Sequence, residues 1–135
     1  MKEKICIVMS TYNDNITNKI RVSAKKELKK LGIKKVEDIE VPGAFEIPVT
    51  ISRHIKHFDG FIAIGCIIKG KTKNFDLISE AITNGIIQIS INEKKPIGNA
   101  ILTCFSRDQA NERFDRGKEA AKAVFSVLKN GPKKT

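Results

Sequence analysis

The sequence has no tryptophan, one tyrosine, two methionines and two histidines in 135 residues. With Tyr12 as the single tyrosine and no tryptophan, it offers little for stacking on unpaired bases. Its three cysteines, Cys6, Cys66 and Cys104, form no CxxC pair. An odd count in apolar surroundings excludes a disulfide framework and argues against a zinc site. The thiols are expected to be reduced and buried, in a cytoplasmic protein. No apolar run approaches the ~20 residues of a membrane span. The segment MKEKICIVMS has neither a long apolar stretch nor a small-residue cleavage site, so no secretory signal is expected. Repeats and interdomain linkers are absent, so one domain over residues 1–135 is expected, long enough to bury a sizeable core.

What is abundant is positive charge. Lysine and arginine number 25 against 15 acidic residues, a formal net charge of +10. Such a balance can attract nucleic acid or another polyanion. Here the lysines, for example Lys25, Lys26, Lys29 and Lys30, fall on expected solvent faces and are not interleaved with aromatics. A solvated basic surface is the better reading, with no specific nucleic-acid partner.

Strand and helix periods alternate along the chain. Ile5 to Met9 is a short apolar run fit for a buried strand. Ile16, Ile20, Ala24, Leu28 and Leu31 follow helical spacing, and Gly32 stands where that helix should stop. Val36 to Val41 reads as a second strand, Pro42-Gly43 punctuates it, and Ile47 to Ile55 reads as a short helix. Phe61 to Ile64, extendable to Ile68, is a third strand with both faces apolar. Phe75, Ile78, Ile82, Ile86 and Ile89 stripe a long helix. Ala81, Gly85, Ile87 and Ile91 give it a second apolar face, as in a helix sandwiched between its own sheet and a neighbouring subunit. Ile97 to Thr103 is a fourth strand, Ser106 and Gln109 have capping-box spacing, and Ala121, Val124, Phe125 and Leu128 mark a last helix. The order implies an α/β fold with a parallel sheet covered on both faces. Ligands in such folds sit beyond the carboxyl ends of the strands, here after Met9, Val41 and Ile68.

The segment Gly65 to Asp76, GCIIKGKTKNFD, lies at the last of these ends. Gly65 to Thr72 matches the phosphate-loop pattern G-x-x-x-x-G-K-[ST]. In that reading Lys71 would meet terminal phosphates and Thr72 a magnesium ion. The context speaks against it: Cys66, Ile67 and Ile68 look like strand, and no later strand ends in an obvious metal-binding aspartate.

A second set of motifs spans the whole chain. Val41 to Pro48, VPGAFEIP, resembles the signature of the 6,7-dimethyl-8-ribityllumazine synthases of riboflavin biosynthesis. Tyr12-Asn13-Asp14 with Ile16-Thr17, Gly65 to Gly70, Phe75-Asp76, Gln109-Ala110-x-Glu112-Arg113, and Arg116-Gly117 with Glu119-Ala120-Ala121 are similar to further family elements in the same order. The resemblance implies a flavodoxin-like three-layer α/β/α sandwich on a four-stranded parallel sheet. It implies condensation of 5-amino-6-(D-ribitylamino)uracil with 3,4-dihydroxy-2-butanone 4-phosphate, a reaction that uses no metal and no organic cofactor. It also implies a homopentamer or larger assembly with active sites between subunits, and no membrane partner.

By the same resemblance, Tyr12 stacks on the pyrimidine, Ala44 and Phe45 line the ring and ribityl site, and Glu46 accepts from ribityl hydroxyls. Cys66, Ile67 and Ile68 edge the pocket, partly through backbone groups. Lys71 and Thr72 meet the substrate phosphate before a helix N-terminus, and Arg113 reaches it from an adjacent subunit. Read alone, Tyr12 would be a surface tyrosine, Glu46 a first-turn helix acid and Arg113 a helix-end cation. Two positions depart from the family pattern. Asn74 stands where the family has the histidine assigned to proton transfer, and Asn99 stands where a phenylalanine closes the pyrimidine pocket. The turn from Arg113 to Arg116 is also a few residues shorter than usual, near contacts between pentamers. A weakly active or non-catalytic homologue that binds lumazine or flavin is the alternative these substitutions leave open.

Overall fold

The computed structural model describes residues 2–70 and 74–132. In chain order they form β1 (Lys4–Ser10), α1 (Asp14–Lys30), β2 (Lys35–Val41), a 3₁₀ turn (Ala44–Glu46) and α2 (Ile47–His54). A second 3₁₀ turn (Ile55–His57), β3 (Gly60–Ile68), α3 (Asn74–Glu93), β4 (Ile97–Cys104), α4 (Arg107–Asn111) and α5 (Arg116–Lys129) follow. The strands make one four-stranded sheet in the order β2-β1-β3-β4, every pairing parallel. This is the α/β arrangement expected from the alternation of periods.

The two central strands are apolar on both faces, so the sheet must be covered twice. Ile5, Ile7 and Met9 of β1 pack with Ile62 and Ile64 of β3 beneath α1 and α5. Cys6, Val8, Phe61 and Ala63 pack on the other side against Ile47 and Ile51 of α2 and Ile82 and Ile86 of α3. The outer strands are protected at their free edges. Along β2, Lys4 pairs with Glu37, Arg21 with Asp38 and Glu40, and Lys25 with Asp38. On β4, the Ile101 amide donates to Asn99 Oδ1 and the Asn99 carbonyl accepts from Arg116 Nε. On β4, side chains thereby satisfy backbone groups that a further strand would otherwise take.

Local chemistry sets the element ends. Gly32 (φ 87°) closes α1, with Ile33 donating to Leu28 and Gly32 to Lys29. This is a Schellman arrangement, sealed by the burial of Ile33 against Leu28. Ser106 Oγ accepts from the Gln109 amide and starts α4, as the capping-box spacing predicted. The expected strand and helix bounds hold with small extensions: β3 runs to Ile68, β4 to Cys104, and the second helix breaks into 3₁₀ geometry at Ile55.

Close approach is tightest at Gly117. A Cβ on Gly117 would collide with the Ile20 backbone oxygen of α1, so only glycine lets α5 lie this near. A Gly117→Ala substitution should therefore lower stability by about 1–3 kcal/mol, the usual range for overpacking. Urea denaturation measures it, and an unchanged midpoint would show that the helices can separate freely.

Candidate active site

Three loops meet at the carboxyl ends of β1, β2 and β3. Asn13 takes the left-handed conformation (φ 63°), which its short polar side chain tolerates, and turns the chain from β1 into α1. Its Nδ2 donates to the Cys66 carbonyl at 3.3 Å. Thr11 and Tyr12 donate backbone hydrogen bonds to the Val41 and Pro42 carbonyls at 2.8 and 3.1 Å. The β1 loop is thus tied to both neighbouring strand ends. Tyr12 projects from it with its side chain free: the residue is 71% exposed.

The turn after β2 carries Ala44, Phe45 and Glu46. Glu46 Oε1 accepts from the Gly43 amide at 2.9 Å, which holds the turn and leaves the second carboxylate oxygen uncommitted among the described residues. Phe45 is 66% exposed and lines a groove of about 480 Å³ with Glu46, Pro48, Val49, Ala81 and Ile82, between α2 and α3. Below the turn, Gly65 leaves room for Ala44 and Ser10: a Cβ there would come within 3.3 Å of each. The Ser10 hydroxyl is buried at this point and makes no hydrogen bond among the described residues.

At the end of β3, Ile67 packs on the face covered by α2 and α3, while Cys66 and Ile68 pack on the face of α1 and α5. Cys66 therefore meets the rim through its backbone, and its carbonyl is already taken by Asn13. Gly65 to Ile68 are strand, so they cannot wrap a phosphate as the nucleotide-binding pattern requires. Asn74 is exposed and opens α3; Lys71 and Thr72 lie outside the described residues.

The remaining two predicted residues come from β4 and from the segment after α4. Asn99 lies in mid-β4, level with Ala63, with its Oδ1 engaged by the Ile101 amide. It is five residues short of Cys104, roughly 16 Å along the strand. Arg113 follows α4, whose Ala110 is buried on the α1–α5 side of the sheet. Phe45 and α3 belong to the opposite layer. Arg113 is exposed and makes no ion pair among the described residues.

Sequence reasoning missed the structural ties Asn13–Cys66 and Gly43–Glu46, and the buried Ser10 hydroxyl. The left-handed propensity of asparagine and the three-residue spacing of Gly43 and Glu46 were the available signals; nothing marked Ser10.

Behind the rim the three cysteines are free and buried. Burial pushes the Cys66 thiol up to about 11, with a smaller push from Cys104 and an opposing one from Arg107. Burial likewise raises Cys104, against the nearby Arg113 guanidinium. Burial also takes Cys6 up to about 12, aided by Glu37 and Asp38. These are protonated, unreactive thiols, as expected from their surroundings. Between the ordinary value of 9.0 and about 11, unfolded Cys66 releases a proton that the folded chain keeps. Its contribution to stability is complete below the lower limit and falls as pH rises through the window, by at most ~1.4 kcal/mol per pH unit. Urea midpoints across the window should fall more steeply for the parent chain than for Cys66→Ala. Equal slopes would exclude the buried thiol as the cause.

Comparison with known proteins adds to this geometry. Residues 2–130 match the family model described as 6,7-dimethyl-8-ribityllumazine synthase. The chain is 38% identical over 130 residues to the 6,7-dimethyl-8-ribityllumazine synthase of Methylibium petroleiphilum, covering 93% of this chain and 81% of the relative. It is 34% identical over 131 residues to that of Arthrobacter sp. (92% and 81% covered). The corresponding protein of Acidovorax ebreus is 36% identical over 131 residues (93% and 85% covered).

Proposed function

The chain belongs to the 6,7-dimethyl-8-ribityllumazine synthase family, and on that premise we propose an active site shared between neighbouring copies. The protein is a transferase that condenses 5-amino-6-(D-ribitylamino)uracil with 3,4-dihydroxy-2-butanone 4-phosphate. The products are 6,7-dimethyl-8-ribityllumazine, phosphate and water. The arylamine attacks the ketone and loses water to give an imine. Phosphate then leaves, and the second nitrogen closes the ring with loss of another water. Every bond formed is supplied with electrons by the two substrates, so the chemistry calls for no metal and no redox cofactor.

The substrates must be held in register, and the residues suit that work. The exposed Tyr12 ring offers a face to the pyrimidine, with Ala44 and Phe45 along the ring and ribityl chain. The uncommitted oxygen of Glu46 accepts from ribityl hydroxyls, while its partner oxygen stays fixed by Gly43. The pocket edge is formed by Cys66, Ile67 and Ile68, Cys66 through its backbone. Lys71 and Thr72, preceding α3, supply charge and a hydroxyl to the phosphate, and the positive end of α3 adds to them. Asn74 orients a water or hydroxyl. It cannot take up a proton near neutral pH, so the substrate phosphate or solvent carries protons there.

The observation that carries the shared site is the layer of Arg113. The helix it follows, α4, buries Ala110 on the α1–α5 side of the sheet, opposite the groove and α3. Arg113 therefore reaches a phosphate at α3 from a second copy, and mid-strand Asn99 meets a neighbour's pyrimidine site in the same way. Exposed apolar side chains on α2 and α3, including Val49, Leu77, Ile87 and Ile91, favour such a neighbour. We take the assembly to be at least a pentamer, in the cytoplasm, with no membrane or specific nucleic-acid partner.

Purified protein mixed with both substrates should raise lumazine absorbance faster than the spontaneous condensation; a rate no better than spontaneous would defeat the enzymatic reading. Asn74→His should raise kcat, toward the ~10²-fold that marks the lower end of general acid–base help. A neutral substitution would show that proton transfer is not served from this position. Sedimentation should find pentamers or larger particles. Val49→Glu, charging the exposed face of α2, should give folded monomers without activity; an assembled, active variant would place the interface elsewhere.

A further inference from the structure

Phe105 is 69% exposed at the carboxyl end of β4, yet it is held on several sides. Its amide donates to Gln109 Oε1 at 2.7 Å. Its ring lies 6.3 Å from that of Phe75, tilted by 35°. The Lys69 ammonium sits 5.2 Å from the Phe105 ring centre, and the Lys69 amide donates to the Cys104 carbonyl at 2.9 Å. One ring therefore touches the residue that follows β3 and a residue in the first turn of α3.

That first turn has little else to hold it. Asn74, Asp76, Leu77 and Ile78 are exposed, and the first buried residue of α3 is Ile82, two turns in. Phe75 is half-buried, and its aromatic partner among the described residues is Phe105. An exposed phenylalanine with no packing role would gain nothing from this position. One that pins the helix end to the sheet fixes the direction in which the first amides of α3 and the Asn74 side chain point.

We propose that Phe105 is a positioning residue for the phosphate-bearing substrate: its ring, set against Phe75 and Lys69, holds the N-terminus of α3 in the orientation that receives the phosphate. The proposal rests on the reading that this terminus is the phosphate site. Phe105 does not touch reacting atoms; it acts through Phe75 and Lys69. Its loss weakens capture of the phosphorylated four-carbon substrate and leaves the pyrimidine site intact.

Steady-state kinetics on Phe105→Ala and Phe105→Tyr separate these effects. In Phe105→Ala, KM for 3,4-dihydroxy-2-butanone 4-phosphate should rise roughly tenfold, as loss of one aromatic pair and one cation–π contact implies. The KM for the aminopyrimidine should stay level and kcat should change far less. Phe105→Tyr, which keeps the ring, should restore the parent KM. Titration calorimetry with inorganic phosphate gives a second readout that does not need turnover, and the same loss should appear there. An unchanged KM and phosphate affinity in a folded Phe105→Ala protein overturns the proposal, as does a parallel rise for both substrates. If the parent chain itself binds no phosphate, the reading of α3 as the phosphate site fails, and the role of Phe105 with it.

Discussion

Everything in this molecule depends on two central strands that are apolar on both faces. β1 and β3 cannot leave either face to water, so the chain must place helices above and below them. Parallel pairing follows from the connections, because each strand returns through a helix. Once the sheet is parallel, the loops after β1, β2 and β3 gather at one end, beside the N-terminus of α3. The rim built from Tyr12, the Ala44–Glu46 turn, Cys66–Ile68 and Asn74 is a consequence of covering the core.

The same layering underlies the proposal of a site shared between copies. Two residues proposed to serve one phosphate come from different layers: Asn74 opens α3 on the α2–α3 side, and Arg113 follows α4, whose Ala110 is buried on the α1–α5 side. In the proposed assembly a second copy would bring its own Arg113 to the first copy's rim. The exposed apolar stripe of α3 has the same logic. Its Ile82 and Ile86 are buried in the chain's own core, while Ile87 and Ile91 remain uncovered.

The chemistry tolerates a rim made largely of positioning groups. Holding an amine against a ketone removes most of the entropic barrier, and departure of phosphate needs charge stabilisation more than a strong base. In the proposed site, Asn74 in place of a histidine would remove general acid–base help at one point and leave the positioning groups in place. The fixed turns around the rim fit this emphasis. Asn13 ties β1 to Cys66, and Glu46 ties its own turn through Gly43, each with an ordinary hydrogen bond.

Much of this was legible in the sequence. The strands and helices followed from apolar periodicity, the stop of α1 from Gly32, and the cap of α4 from Ser106 and Gln109, because each is a local effect of residue type. The VPGAFEIP turn and Arg113 were recognisable as motif positions, but their partners were not. Hydrogen bonds such as Asn13 to Cys66 join residues far apart in the chain, and periodicity carries no record of them. Nor could composition show that Asn99 spends its side-chain oxygen on the Ile101 amide, or that Phe105 rests on Phe75. The sequence by itself determined the elements, their order and the family, since those rest on local propensity and motif. The tertiary structure decided which motif residues share a rim and which lie on the opposite layer, because only packing on the two faces of one sheet sets distances between them.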